Sequence, residues 1–155
     1  MMTLLLAIGI GFVAGLRSMT APAVVAWAAL LGLIHLEGSP LSFMGSSWAV
    51  GFFTLAALAE FVVDLLPQTP ARTAPGPLIA RIVTGGLGGC CLALEGGKAI
   101  LLGALCGAIG GVAGAFIGYR ARIGLVKALG VSDAIVAMVE DLIAVGMGFL
   151  FVSRL

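Results

Sequence analysis

The stretch AILLGALCGAIGGVAGAFIGY, Ala99–Tyr119, contains no charged side chain. A transmembrane helix needs about 20 mainly apolar residues to cross the hydrocarbon core. Outer-membrane strands instead alternate apolar and polar positions in segments of about ten, and this stretch shows no such alternation. Gly103, Gly107 and Gly111 recur at every fourth position, as do Gly110, Gly114 and Gly118. Small residues at this spacing let helix backbones approach closely in lipid, where van der Waals contact replaces the hydrophobic drive. The stretch is therefore expected to form the central, most buried helix of a bundle, packed through Gly103, Gly107, Gly111, Gly114 and Gly118. A second copy of the chain is an alternative partner for those glycines.

Working outward, similar apolar runs occupy Ser47–Leu66, Pro77–Leu94 and Ala134–Ser153. With Ala99–Tyr119 they predict four full spans. The N-terminal region differs. Met2–Leu16 and Ala21–Leu36 are apolar but flank the polar sequence Arg17-Ser-Met-Thr-Ala-Pro22. Met2–Leu16 resembles the core of a signal peptide, yet its basic residue follows it rather than precedes it, so it is expected to be retained. Pro22 disfavours helical geometry at the residue before it and donates no ladder hydrogen bond. Two readings compete: one kinked helix with Arg17 in mid-membrane, or two short helices meeting at a polar turn.

Charge placement separates them. Arg72, Arg81, Arg120, Arg122 and Lys127 fall on one side of the four spans, against Lys98 and Arg154 on the other. Cytoplasmic loops carry the excess of Lys and Arg. Two short N-terminal helices place Arg17 on the same basic side, whereas a single helix leaves it at a depth costing at least about 2.5–3.5 kcal/mol. Two short helices are preferred, and the C-terminus is then periplasmic. The expected fold is all-α: one integral membrane domain over residues 1–155, with six segments, two short and four full. Six segments form two groups of three, which would insert with opposite orientation as in inverted-repeat transporters. The alternative is six helices without internal symmetry.

Composition agrees with the class. The chain is 61% hydrophobic and 10% charged, with a mean hydropathy of +1.24. Soluble domains carry roughly 25% charged residues, so the excess apolar surface must face lipid. The formal net charge of +1 gives no footprint for nucleic acid. Cys90, Cys91 and Cys106 lie inside apolar runs without a CxxC pair or a nearby histidine, and read as small packing residues.

The charges within the apolar runs carry the functional reading. Glu60 and Asp64 share one helix face; Glu140 and Asp141 lie within the last span; Arg17, Arg81, Arg120 and Arg122 lie at similar depth. Unpaired charges at such depth are costly, so they should pair or face a wet cavity. Arg17 is expected to meet Glu60 or Glu140. Asp64, Arg72 and Arg122 read as the most interfacial of the set, and the proline-rich loop Pro67–Pro77 as stiff and extended, with Arg72 facing water. Lone His35 reads as interfacial. No Walker loop, HExxH or GxSxG is present, so nothing specifies an enzyme, a catalytic residue, a cofactor or a metal.

Two motifs add a resemblance. Gly15-Leu-Arg17-Ser-Met-Thr-Ala-Pro22 and Glu60-x-x-x-Asp64-x-x-Pro67-x-x-Pro70-x-Arg72, with Arg81 and the glycines after it, resemble a family of small bacterial membrane proteins known only as a domain of unknown function. The resemblance covers most of the chain through the region of Cys90. It implies a multi-pass inner-membrane protein in which Arg17, Glu60, Asp64 and Arg81 matter, and it implies no activity. From the residues, two classes stand. One is a small transporter or channel-like protein for an anion, a proton-coupled solute or a lipid, with Arg17, Glu60, Asp64, Arg81, Arg120, Glu140 and Asp141 as ligand or ion candidates. The other is a non-transporting assembly factor or an enzyme acting on a lipid head group. The bilayer and an unidentified small molecule or lipid are the expected partners.

Overall fold

The computed structural model describes residues 1–66 and 71–155. Within them the chain forms six α-helices: α1 (Met2–Leu16), α2 (Thr20–Leu30), α3 (Ser47–Val63), α4 (Pro75–Glu95), α5 (Ile100–Leu129) and α6 (Asp133–Val152). A short 3-10 turn, Ser42–Gly45, precedes α3. Three helices, α4, α5 and α6, are long and apolar enough to cross a membrane. That is one fewer than the four full spans expected, because α3 has 17 residues and stops at Val63 with Asp64 as its cap.

The N-terminal region is two helices rather than one. Arg17 takes an extended conformation (φ −141°, ψ 110°) that ends α1. The break precedes Pro22, which sits in the first turn of α2, where a missing N–H costs nothing. The second helix is shorter than the run Ala21–Leu36. It ends at Leu30, and the chain turns at Gly32, whose φ of +71° favours glycine. Ile34 and Leu36 then fold back into the buried core beside Met44. The Glu95 carboxylate, at the end of α4, accepts a hydrogen bond from the His35 N–H and so ties this loop down.

At its other end α5 exceeds expectation. Residues after Tyr119 read as a loop, yet the helix continues through Arg120, Arg122 and Lys127. No proline occurs there, the helix runs through Gly124, and it ends only at Gly130, which caps it in the left-handed region at φ +61°.

Helices α1, α4 and α5 form the tightest group. The two glycine repeats of α5 serve different neighbours. Gly103, Gly107 and Gly111 face Gly89, Gly85 and Arg81 of the antiparallel α4, while Gly110 and Gly114 face Ile8 and Phe12 of the parallel α1. A Cβ added at Gly111 would lie 2.6 Å from the Arg81 carbonyl oxygen, and one at Gly15 would lie 2.6 Å from the Ala115 nitrogen. Neither distance is tolerable for backbone atoms. Yet α5 is not the most enclosed helix. Its buried positions are six glycines and Ala115, and its opposite face, from Leu101 to Ile117, is exposed. The most enclosed helix is α2, in which eight of eleven residues are buried. Glycines admit close neighbours on their own face only, so their density in the sequence overstates the burial of the whole helix. Helices α2, α3 and α6 pack more loosely around the α1, α4 and α5 group.

Candidate functional site

The break between α1 and α2 leaves orphan polar groups, since the last carbonyls of one helix and the first N–H groups of the next have no partner in their own helix. Side chains from other helices supply them. Arg81 of α4 donates from Nε to the Gly15 carbonyl at 3.0 Å and from Nη1 to the Pro77 carbonyl at 3.0 Å. Glu60 of α3 accepts from the Ser18 N–H at 2.9 Å, the Ser18 hydroxyl at 2.8 Å and the Met19 N–H at 2.8 Å. A cation therefore holds the negative end of α1 and an anion the positive end of α2, each in its favoured place. The two caps also face each other, with Arg81 Nη2 3.6 Å from Glu60 Oε1.

Arg17 sits in the break with no exposed surface. Its Nη1 pairs with Asp64, and its Nε lies 2.5 Å from Asp141 Oδ1. Its guanidinium also stands 5.6 Å from the centre of the Phe61 ring, within reach of a cation–π attraction. Glu60 and Glu140, the partners expected for Arg17, are elsewhere. Glu60 is occupied by the α2 cap, and Glu140 by Arg72 in a two-pronged pair at 2.5 and 2.9 Å. Helical spacing places Asp141 a full 100° around α6 from Glu140, so adjacent carboxylates serve different arginines.

The remaining pairs join the same cluster. Arg122 donates to Asp133 from two nitrogens, at 2.8 and 2.5 Å, and lies 3.4 Å from Asp64 and 3.8 Å from Glu140. Arg72 Nη2 lies 3.9 Å from Asp64. Two expectations are corrected here. Arg72 does not face water: its side chain is 5% exposed, because the chain entering α4 folds it over Gly118 toward Glu140. Arg120 is not in the cluster: it is exposed and makes no ion pair among the described residues, because it points about 200° around α5 from Arg122. Asp64, read as interfacial, is approached by three arginines.

The charges segregate by sign. Every arginine of the cluster comes from the cap of α1, from α4, α5 or the segment entering α4, and every carboxylate comes from α3, its cap or α6. The ion pairs thus bridge the tight group and the looser one. Four arginines meet five carboxylates, so the cluster is close to neutral. Breaking one pair in such a site leaves the partner charge uncompensated, at a cost of about 3–5 kcal/mol. Among the described residues, no group of three or more His, Cys, Asp or Glu side chains is placed to hold a metal ion.

Arg72, Arg122 and Asp133 were missing from the candidates that the sequence supplied. Their signal was present but ambiguous: each stands at the edge of an apolar run, where a solvated charge is the ordinary outcome.

A family model matches residues 4–153. The chain belongs to the family described as Domain of unknown function (DUF4126). No curated protein and no solved structure matches it. The family match runs beyond the region of Cys90 and takes in α5 and α6, so Arg122, Asp133, Glu140 and Asp141 lie inside it along with Arg17, Glu60, Asp64 and Arg81. Pro67 and Pro70 of the second motif lie outside the described residues. Membership brings no activity with it, and the three apolar spans mark the chain as a membrane protein.

Proposed function

We propose that this protein is a small transporter of the bacterial inner membrane, its six helices all crossing the bilayer and both termini periplasmic. The charge cluster then faces the cytoplasm, where the excess of basic residues belongs. The observation that carries the reading is the segregation of charge between two helix groups. Helices α1, α4 and α5 are fastened by backbone contact that admits no intermediate spacing, whereas α3 and α6 are fastened to them at one end by ion pairs. Ion pairs can exchange partners, water or a passing ion for one another. Rocking of one helix group against another is how inverted-repeat carriers alternate access. On this reading the cluster is the cytoplasmic gate, and an anion or proton that enters competes for Arg17, Arg72 or Arg122, or for Asp64, Glu140 or Asp141. The α1–α2 turn brings helix-end N–H and carbonyl groups beside the cluster, the kind of polar backbone that lines ion and substrate sites in transporters.

The alternative is a membrane assembly factor that moves nothing, and the near-complete pairing of the charges favours it. The two separate on accessibility. In a background with Cys90, Cys91 and Cys106 replaced by alanine, Ala137→Cys places a thiol at a position with no exposed surface, one turn from Glu140 and Asp141. A gate that opens will let a membrane-impermeant thiol reagent reach it from the cytoplasmic face, faster in Glu140→Gln. Complete protection in both backgrounds, with no saturable flux of chloride, phosphate, short carboxylates or protons in proteoliposomes, assigns the cluster to architecture. Orientation has its own test: alkaline phosphatase fused after Leu155 should be active and after Arg72 inactive. The reverse pattern removes the cytoplasmic gate.

A further inference from the structure

Arg120 has no place in the charge cluster. It is exposed on α5 and makes no ion pair among the described residues, and the same holds for Lys127. Helix α5 contains no acidic residue, and Asp133, the next acid along the chain, is held by Arg122. Seven residues return a helix to within about 20° of its starting direction, so Arg120 and Lys127 share one face. Leu102, Ile109 and Phe116 lie within about 40° of Arg120 by the same spacing, and all three are exposed. One face of α5 is therefore apolar over most of its length and ends in two unpaired cations.

Helix length fixes where those cations stand. Helix α5 begins at Ile100, and Arg120 lies about 30 Å further along it, the thickness of the hydrocarbon core. With the start of α5 at one surface, Arg120 reaches the head-group level of the other. Tyr119 beside it is partly exposed, and tyrosine is enriched at that level. Lys127 lies about 10 Å further out. Side chains on a helix lean toward its N-terminus, so Lys127 leans back toward the bilayer and Arg120. A phosphate at this level meets both cations while its acyl chains lie along Phe116 and Ile109. We propose that this face of α5 binds an anionic phospholipid, its phosphate held by Arg120 and Lys127. A zwitterionic lipid adds an ammonium that the two cations repel. The leaflet rests on the proposed topology, which makes it cytoplasmic; the contact itself stands whether or not the gate opens.

Phe116, one turn inside Arg120, can report on the lipid beside it. In a Trp27→Phe, Trp48→Phe background, Phe116→Trp supplies the one tryptophan of the chain. The protein is placed in phosphatidylcholine nanodiscs in which a fixed fraction of the lipid is brominated on its acyl chains. Brominated phosphatidylglycerol should quench that tryptophan as if enriched about fivefold or more over brominated phosphatidylcholine, the effect of one or two cations near an anionic surface. Arg120→Gln with Lys127→Gln should bring the two lipids to parity, and both positions are exposed enough to accept the change. Arg120→Lys should keep most of the preference, and salt at about 1 M should reduce it by screening. Trp48, at the opposite end of the bundle and read alone in Trp27→Phe, should show no preference. Equal quenching of Phe116→Trp by the two lipids leaves the cations to an acidic protein partner and overturns the site. A preference that survives Arg120→Gln with Lys127→Gln, or one of equal size at Trp48, overturns the assignment to these side chains. None of these outcomes bears on the gate, which the thiol and flux measurements test.

Discussion

Where α5 lies against α1 and α4, the contact is backbone on backbone, and the glycines contribute nothing but the absence of a side chain. Where α6 and α3 meet the same group at its charged end, the contact is guanidinium on carboxylate, through long, flexible side chains. The first kind of joint fixes a distance within tenths of an ångström, since close-packed backbones leave no alternative arrangement. The second fixes a pairing and allows several geometries, as Asp64 illustrates with three arginines around it. One protein thus keeps rigid and exchangeable joints on the same helices. The lesson is that apolar content says which segments enter the bilayer, while the small and charged residues say how they are fastened.

The largest effect expected is on the rigid joint. A Cβ at Gly107 would already crowd the Gly85 carbonyl and the Gly89 backbone, so Gly107→Leu must part α4 from α5. The loss should exceed about 4 kcal/mol, in the exceptional range for a single substitution, and show as failure to yield monodisperse protein. Gly146 meets nothing within 4 Å, and Gly146→Leu should leave elution and melting nearly unchanged. Equal tolerance at both positions would mean that the glycine contacts are not what joins α5 to its neighbours.

Next comes Arg17→Gln, which strands Asp141, takes from Asp64 the nearest of its three arginines and should cost about 3 kcal/mol, read as a lowered melting temperature in detergent. A second change, Asp64→Asn or Asp141→Asn, should recover much of that loss. The double mutants with Glu60→Gln or Glu140→Gln should not, because those carboxylates hold other partners. Rescue by Glu140→Gln alone would redraw the pairing.

The smallest effect is at the α2 cap. Ser18→Ala removes one hydroxyl that Glu60 accepts from and leaves the Glu60–Arg81 pair in place, so the expected loss is about 1 kcal/mol, the net worth of one hydrogen bond, with the amides of Ser18 and Met19 exchanging faster. Unchanged exchange there would show that the Ser18 hydroxyl does not help to hold Glu60.

These regions differ also in how openly they are written in the sequence. Three of the four expected spans follow from run length, a property of neighbouring residues, and the break at Arg17 follows from the side on which the basic residues gather. The two glycine stripes of α5 are visible as periods, but their assignment to α4 and α1 depends on helix directions that only the whole chain sets. The charges were legible as a group and not as pairs. Which arginine Asp141 takes depends on 100° of helix rotation, and whether Arg72 is solvated depends on how the chain enters α4. Helix length at the α5 end was misjudged for a related reason: charges were read as loop where no residue actually breaks the helix.

The segregation of sign has a consequence for synthesis. Arginines 17, 72, 81 and 122 all precede α6, and three of the cluster's five carboxylates belong to α6, the last helix made. Until that helix emerges, Arg72 and Arg122 lack their closest acids and Arg17 holds only one of its two. At about 5–20 residues per second, the interval lasts seconds. During it, on the proposed topology, the nascent chain shows an unbalanced row of positive charge to the cytoplasm, the condition that resists translocation of those turns. Arrival of α6 then cancels the charge and ends its hold. The same side chains would act first as a signal for orientation and afterwards as a fastening, with the final helix as the timer.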